Sequence, residues 1–158
     1  MKLSHLTLYH LRMPLQSPFE TSFGRTHDRD CILIEAHAGD LTGYGECVAD
    51  RDPGYSYETS GTAWHILEDF LIPAVLDTDL DGPLDFQRRV SHVRGHPMAK
   101  AGLEMALWDL QGKLEGRSLR QLLGGQRQRV DVGVSVGIQS SPQALVQTVE
   151  AYLQKGYR

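Results

Sequence analysis

The chain has 158 residues, 41% of them apolar and 23% charged, with a net charge of −4. This composition fits a globular domain, or one domain with part of a second, and such a chain can bury roughly two thirds of its unfolded surface. The charges are interspersed, with no run of five like signs and no stretch near the roughly 18 apolar residues of a membrane span, which argues against nucleic-acid binding and membrane insertion. Met1-Lys2-Leu3-Ser4-His5 lacks the apolar run of a signal peptide, so a cytoplasmic location is expected.

Leu6, Leu8 and His10 alternate with Thr7, Tyr9 and Leu11, a period of two that predicts a strand ending at Pro14. Gln16 to His27 is rich in Ser, Thr and Gly and reads as a loop carrying Phe19 and Phe23. Cys31 to Ala38 and Leu41 to Val48 read as two strands around a Gly39-Asp40 turn, completing a three-stranded antiparallel meander. If Ala38 pairs with Leu41, Cys31 opposes Val48 and Cys47 opposes Ile32. The two thiols then point to opposite faces, and no disulfide is expected. A second loop, Ala49 to Tyr57, contains the turn signal Asp52-Pro53-Gly54 and carries Tyr55 and Tyr57.

A helix is predicted from about Ser56 to Leu76, with an apolar stripe of Ala63, Ile66, Leu67, Phe70, Leu71 and Ala74. Asp81-Gly82-Pro83 opens another, and Gly95-His96-Pro97 breaks it. Met98 to Leu114 is the most apolar helix, predicted to be central and nearly buried. Gly116 ends it, Ser118 caps a short helix through Leu123, and Gly124-Gly125 stops that one. Val130, Val132, Val134 and Val136 then alternate with Asp131, Gly133, Ser135 and Gly137, which predicts a strand. Ser141-Pro142 starts a last helix, with Leu145, Val149 and Tyr152 at helical spacing and Gly156 at its C-terminal cap. The chain stops at Tyr157-Arg158, where a second strand is expected.

The predicted fold is therefore an α+β domain of meander plus helical bundle over residues 1–125. The opening of an α/β domain, one strand and one helix, follows over 126–158.

Gly43-Tyr44-Gly45 begins like a dinucleotide fingerprint, but no third glycine follows and no helix opens there. His92 and His96 are read as an exposed pair rather than metal ligands, because Gly95 and Pro97 interrupt any helix between them. Glu104 and Asp109 could act as ligands or bases, but pairing with Lys100 and Lys113, each four residues away, is the favoured reading. Ser135 shares the small face of its strand with Gly133 and Gly137. That face either lines a ligand cavity or relieves crowding, and both readings stand. Phe19 and Phe23 either cover a substrate or anchor their own loop, and Tyr55 and Tyr57 pose the same choice.

These motifs in this order resemble the N-terminal part of the enolase superfamily, and within it the o-succinylbenzoate synthase and N-acylamino acid racemase family of the muconate-lactonizing-like subgroup. The resemblance is carried by Met13-Pro14-Leu15 with Pro18-Phe19-Glu20-Thr21-Ser22-Phe23-Gly24 and by Gly45-Glu46-Cys47-Val48. Further along it is carried by Met98-Ala99-Lys100-Ala101 through Glu104-Met105-Ala106, Leu122-Leu123-Gly124-Gly125, Gly133-Val134-Ser135-Val136-Gly137-Ile138 and Gly156-Tyr157-Arg158.

The resemblance implies a capping domain over 1–125 followed, over 126–158, by the first β/α unit of a truncated TIM-like barrel. It also implies removal of an α-proton next to a carboxylate by a lysine, with a divalent metal, usually Mg²⁺, stabilising the enediolate. Dehydration in menaquinone biosynthesis, or racemisation, is the implied outcome. The implied lysines and metal ligands belong to later strands, so the chain is expected to be catalytically silent alone and to hold no metal. What carries over are substrate-contacting positions: Phe19, Phe23, Tyr55 and Ser135. The family pattern favours an apolar residue near Asp50, and the aspartate departs from it. The implied partner is a small carboxylate substrate, with no nucleic acid or membrane, and with homo-oligomerisation of the full-length enzyme. Competing readings are another superfamily activity, dipeptide epimerisation or muconate cycloisomerisation, and a non-catalytic remnant.

Overall fold

A computed structural model describes all 158 residues and contains three strands and five α-helices. The strands are β1 (His5–Thr21), β2 (Gly24–Ala38) and β3 (Leu41–Cys47), in sheet order β1-β2-β3. The helices are α1 (Ser60–Ile66), α2 (Pro83–Arg89), α3 (Pro97–Glu115), α4 (Leu119–Leu122) and α5 (Pro142–Gln154). The chain divides into two compact units, one of Met1–Met13 with Arg29–Gly125 and one of Pro14–Asp28 with Gln126–Arg158.

In the first unit the β2/β3 register follows the Gly39-Asp40 turn: Ala38 opposes Leu41 and Ile32 opposes Cys47. Gly39 takes the left-handed conformation (φ +56°) that this turn requires. Ile32, Ile34 and Ala36 point to the helix layer and are fully buried, as is Cys47 on β3. Cys31 occupies the other face, and both thiols are free and buried.

The layer above the sheet is α3. Gly43 and Gly45 are glycines because α3 lies directly on them. A Cβ on Gly45 would sit 2.1 Å from the Gly102 carbonyl oxygen, and one on Gly43 2.2 Å from that of Ala106. Gly102 in turn meets Cys47. The Gly-Tyr-Gly run is thus a contact between backbones, which is the physical reason it is not a nucleotide fingerprint. Helix α3 is buried along Ala99, Gly102, Leu103, Ala106, Leu107 and Leu110. The helix is less buried than the nearly complete burial expected: Met105 and Leu114 remain 45% exposed, because α3 covers one sheet face and has solvent on its far side.

The helix predicted over 56–76 is shorter and irregular. It starts at Ser60, where Thr59 and Thr62 form a reciprocal capping box. After Ile66 it widens into a π-helical stretch, Leu67–Leu71, with Ile72 N–H donating to the Leu67 carbonyl (2.9 Å). Pro73 has no N–H for the Asp69 carbonyl, so the regular α-helix cannot continue there. Ala63, Leu67, Leu71 and Val75 still reach the core, whereas Phe70 is half exposed.

The boundaries at Gly82-Pro83, Pro97, Gly116 and Ser118 fall where expected, Ser118 forming a capping box with Gln121. His92 and His96 lie outside both α2 and α3 and share no helical face. Asp109 pairs with Lys113 at 2.7 Å as predicted. Glu104 does not pair with Lys100. It accepts from Gln87 Nε2 (2.7 Å) and Trp108 Nε1 (3.1 Å), while the Lys100 ammonium donates to the Val93 carbonyl.

In the second unit, the predicted loop 16–27 is instead the outer half of a long β1/β2 hairpin. Its turn is tightened by Phe23 N–H donating to Thr21 Oγ1 (3.2 Å). Its polar composition carries no strand signal, because each strand satisfies the other's backbone whatever the side chains are. Residues 126–139 form no ladder, so the strand expected over Val130–Val136 is not present as a paired strand. Helix α5 is capped by Ser141 Oγ accepting from Ala144 N–H (3.1 Å). It closes with Gly156 at φ +93° and Tyr157 N–H on the Tyr152 carbonyl (3.2 Å).

Candidate functional site

The exposed aromatics sit on two supports. On the hairpin of the second unit, Phe19 is 65% exposed and Phe23, at the turn, 93%. Phe23, almost wholly in water on a tip stabilised by its own backbone, contributes little to a core, whereas Phe19 is partly covered. Exposed aromatics of this kind are typical of contact surfaces.

Tyr55 stands on the segment between β3 and α1 in the first unit and is 92% exposed. That segment is held firmly at both ends. At its start, the Asp50 carbonyl accepts from Ser60 N–H (2.7 Å) and Asp50 Oδ1 from Arg51 N–H (2.9 Å). Arg29 reaches across to Asp50 Oδ2 (3.6 Å) and to the Val48 carbonyl (2.9 Å). The aspartate that departs from the family pattern is thus part of the ion-paired base of this segment.

At its end stands Glu58, fully buried, whose two carboxylate oxygens accept from Met98 N–H (2.7 Å) and Ala99 N–H (3.1 Å). The first residues of a helix have unsatisfied N–H groups and a positive dipole end. His96, at the N-cap, is left-handed (φ +54°) and makes no side-chain cap, and Pro97 has no N–H. Glu58 supplies the missing cap from forty residues away and ties the Tyr55 segment to α3. Sequence reading missed it, since no local spacing links Glu58 to Met98.

Ser135 is exposed on the 126–139 segment, and a Cβ at Gly133 or Gly137 would meet nothing within 4 Å. Neither crowding nor any neighbour explains the small residues. Val132 is 72% exposed, and Val134 and Val136 are half-buried. Phe19, Phe23 and Ser135 therefore belong to one compact unit and Tyr55 to the other.

The thiols are not nucleophiles of this site. Burial pushes Cys47 up, and burial and then Glu46 push Cys31 up, so both stay protonated at neutral pH. No three His, Cys, Asp or Glu side chains lie where they could together hold a metal ion, so the residues of this chain do not fit a Mg²⁺ centre. No helix is long and apolar enough to cross a membrane.

Known proteins match this arrangement over nearly its whole length. The family described as Mandelate racemase / muconate lactonizing enzyme, N-terminal domain, matches residues 4–124. The o-succinylbenzoate synthase of Geobacillus stearothermophilus is 45% identical over 157 residues, which are 99% of this chain and 42% of that protein. The N-succinylamino acid racemase of Thermus thermophilus is 44% identical over 158 residues, all of this chain and 43% of that protein. A solved member of the enolase superfamily from Listeria innocua superposes with a TM-score of 0.91 at 35% identity, over 99% of this chain and 43% of its own. The chain thus spans a little over two fifths of the length of these relatives. With its sheet, its helix layer and residues 4–124 all accounted for in this way, the chain belongs to the mandelate racemase / muconate lactonizing enzyme N-terminal domain family of the enolase superfamily.

Proposed function

We propose that this chain is the substrate-covering part of an enzyme acting at a carbon next to a carboxylate, of the o-succinylbenzoate synthase or N-acylamino acid racemase kind. The observation that carries this reading is identity of 44–45% to proteins with those functions over essentially the whole chain, together with aromatics presented to solvent on two well-anchored supports. The share of this chain in the chemistry is to bind, cover and desolvate. Phe19, Phe23 and Tyr55 supply apolar contact, and Ser135 with its flanking glycines supplies a small, slightly polar wall. Excluding water around a developing carbanion strengthens every electrostatic interaction with it. By likeness to those relatives the proton-abstracting lysines and the metal ligands are not among these residues, and the chain alone is inactive. The full-length enzyme is a cytoplasmic homo-oligomer.

The test joins this chain to the C-terminal part of one of the relatives above and measures dehydration and racemisation of succinyl-bearing substrates. Phe19→Ala and Tyr55→Ala should each raise KM with little change in fold. Unchanged KM and kcat in both variants would overturn the assignment of these residues.

A further inference from the structure

We propose that the outer edge of β1, over residues 4–10, pairs with the same edge of a second copy of this chain, joining the two sheets into one. The order β1-β2-β3 leaves a sheet with two free edges, and the two differ. The β3 edge is closed. Gly43 and Gly45 let α3 down onto this strand. Asp109 Oδ2 then accepts from Tyr44 N–H (2.8 Å), while Lys113 Nζ donates to the Thr42 carbonyl (2.6 Å) and to the same Asp109 oxygen (2.7 Å). The side chains of α3 thus occupy backbone groups that a further strand would need. Covering and charging an edge in this way prevents strand addition.

The β1 edge carries no such guard. Ser4 N–H donates to the His37 carbonyl on β2 (2.8 Å). In an antiparallel ladder alternate residues turn both backbone groups to the neighbour, so residues 4, 6 and 8 face β2, and His5, Thr7 and Tyr9 face outward. No proline or lysine interrupts residues 5–13. The strand is also self-complementary. A two-fold axis at Thr7 sets Thr7 against Thr7, His5 against Tyr9 and Leu6 against Leu8 of the second copy. Leu6 and Leu8 are only half-buried at the margin of the core, and this pairing brings two such margins together. The Tyr9 hydroxyl donates to the Glu35 carboxylate (3.3 Å), so the His5 imidazole arrives beside an acid and no like charges meet. A second copy fits here and not at β3. Two α3 helices over adjacent β3 strands would stand about 4.8 Å apart, where packed helices need about 8–10 Å. All of these residues belong to the first unit, and the pairing does not depend on the enzymatic reading above.

The test is size-exclusion chromatography with light scattering on the full chain over a range of concentrations, together with amide hydrogen exchange. The expected mass is about twice that of a single chain. The Thr7 and Tyr9 amides should be protected and exchange faster on dilution. Thr7→Pro removes the central outward N–H without touching the β2 ladder, and should restore the single-chain mass. Val132→Lys, on the exposed 126–139 segment, should leave the assembly intact. A single-chain mass at every concentration, an assembly that survives Thr7→Pro, or one lost in Val132→Lys would overturn the proposal. Where Thr7→Pro does not fold, exchange in the parent chain decides: free exchange of the Thr7 and Tyr9 amides at high concentration overturns the pairing, and protection lost on dilution supports it.

Discussion

Replacing Glu58 should destabilise the protein more than any other single change at an exposed-loop boundary. The residue is 1% exposed, and its carboxylate takes the N–H groups of Met98 and Ala99 at the start of the 19-residue helix α3. A hydrogen bond to a charged group contributes about 1.5–3 kcal/mol, and a buried donor left without a partner costs about 1–3 kcal/mol. In Glu58→Ala both donors lose their acceptor. Met98 is only partly buried, so water recovers some of its share, and a loss of about 2–4 kcal/mol follows. For a chain of this size that lowers Tm by roughly 5–12 °C. Glu58→Gln keeps the shape and one acceptor but turns an amide NH₂ toward an N–H, so it should lose about half as much. Urea denaturation gives the energies, and hydrogen exchange at Met98 and Ala99 localises them. If both variants stay within about 0.5 kcal/mol of the parent, or if the two amides remain protected, then Glu58 is not the cap of α3.

Gly45→Ala should cost at least about 3 kcal/mol by urea denaturation, since its Cβ cannot coexist with the Gly102 carbonyl 2.1 Å away unless α3 moves. Cys31 and Cys47 should be inert to a thiol reagent in the native protein and react at once in denaturant, because burial holds both thiols protonated. At Asp85, burial acts to raise the carboxyl, but hydrogen bonds from Arg89, the Asp81 N–H and Arg88 outweigh it and bring the group below its usual range. A group depressed in the folded state stabilises fully above its unfolded value and loses that contribution as pH falls through the folded one. The urea midpoint should therefore drop on acidification below about pH 4, and drop less in Asp85→Asn. Phe23→Ser should leave stability within about 0.5 kcal/mol of the parent, since the ring is 93% exposed.

Elements whose signals are local were legible in the sequence. The Gly39-Asp40 turn set the β2/β3 register, Pro83 and Pro97 opened their helices, and Ser118 and Ser141 capped theirs. What escaped depends on partners distant in sequence. The outer hairpin reads as polar loop because its hydrogen bonds come from the opposite strand, not from its own Ser and Thr content. Val130 to Val136 has the alternation of a strand, but alternation supplies no neighbour, and without one there is no ladder. Glu104 has Lys100 at the favourable spacing, yet Gln87 and Trp108 reach its carboxylate. The Glu58 cap arises only when α3 is in place. Of the candidate site, the exposed aromatics were legible as residue types on turn-rich segments. Their anchoring at Asp50 and Glu58 was not.

On the proposed reading this chain carries the covering surface and not the proton-transfer machinery. The most direct measurement is α-proton exchange of N-succinylamino acids in D₂O, followed by ¹H NMR, with the 158-residue chain and added Mg²⁺. The α-proton signal is expected to be lost no faster than in buffer. Exchange above that rate, abolished by heat denaturation of the chain, would contradict it.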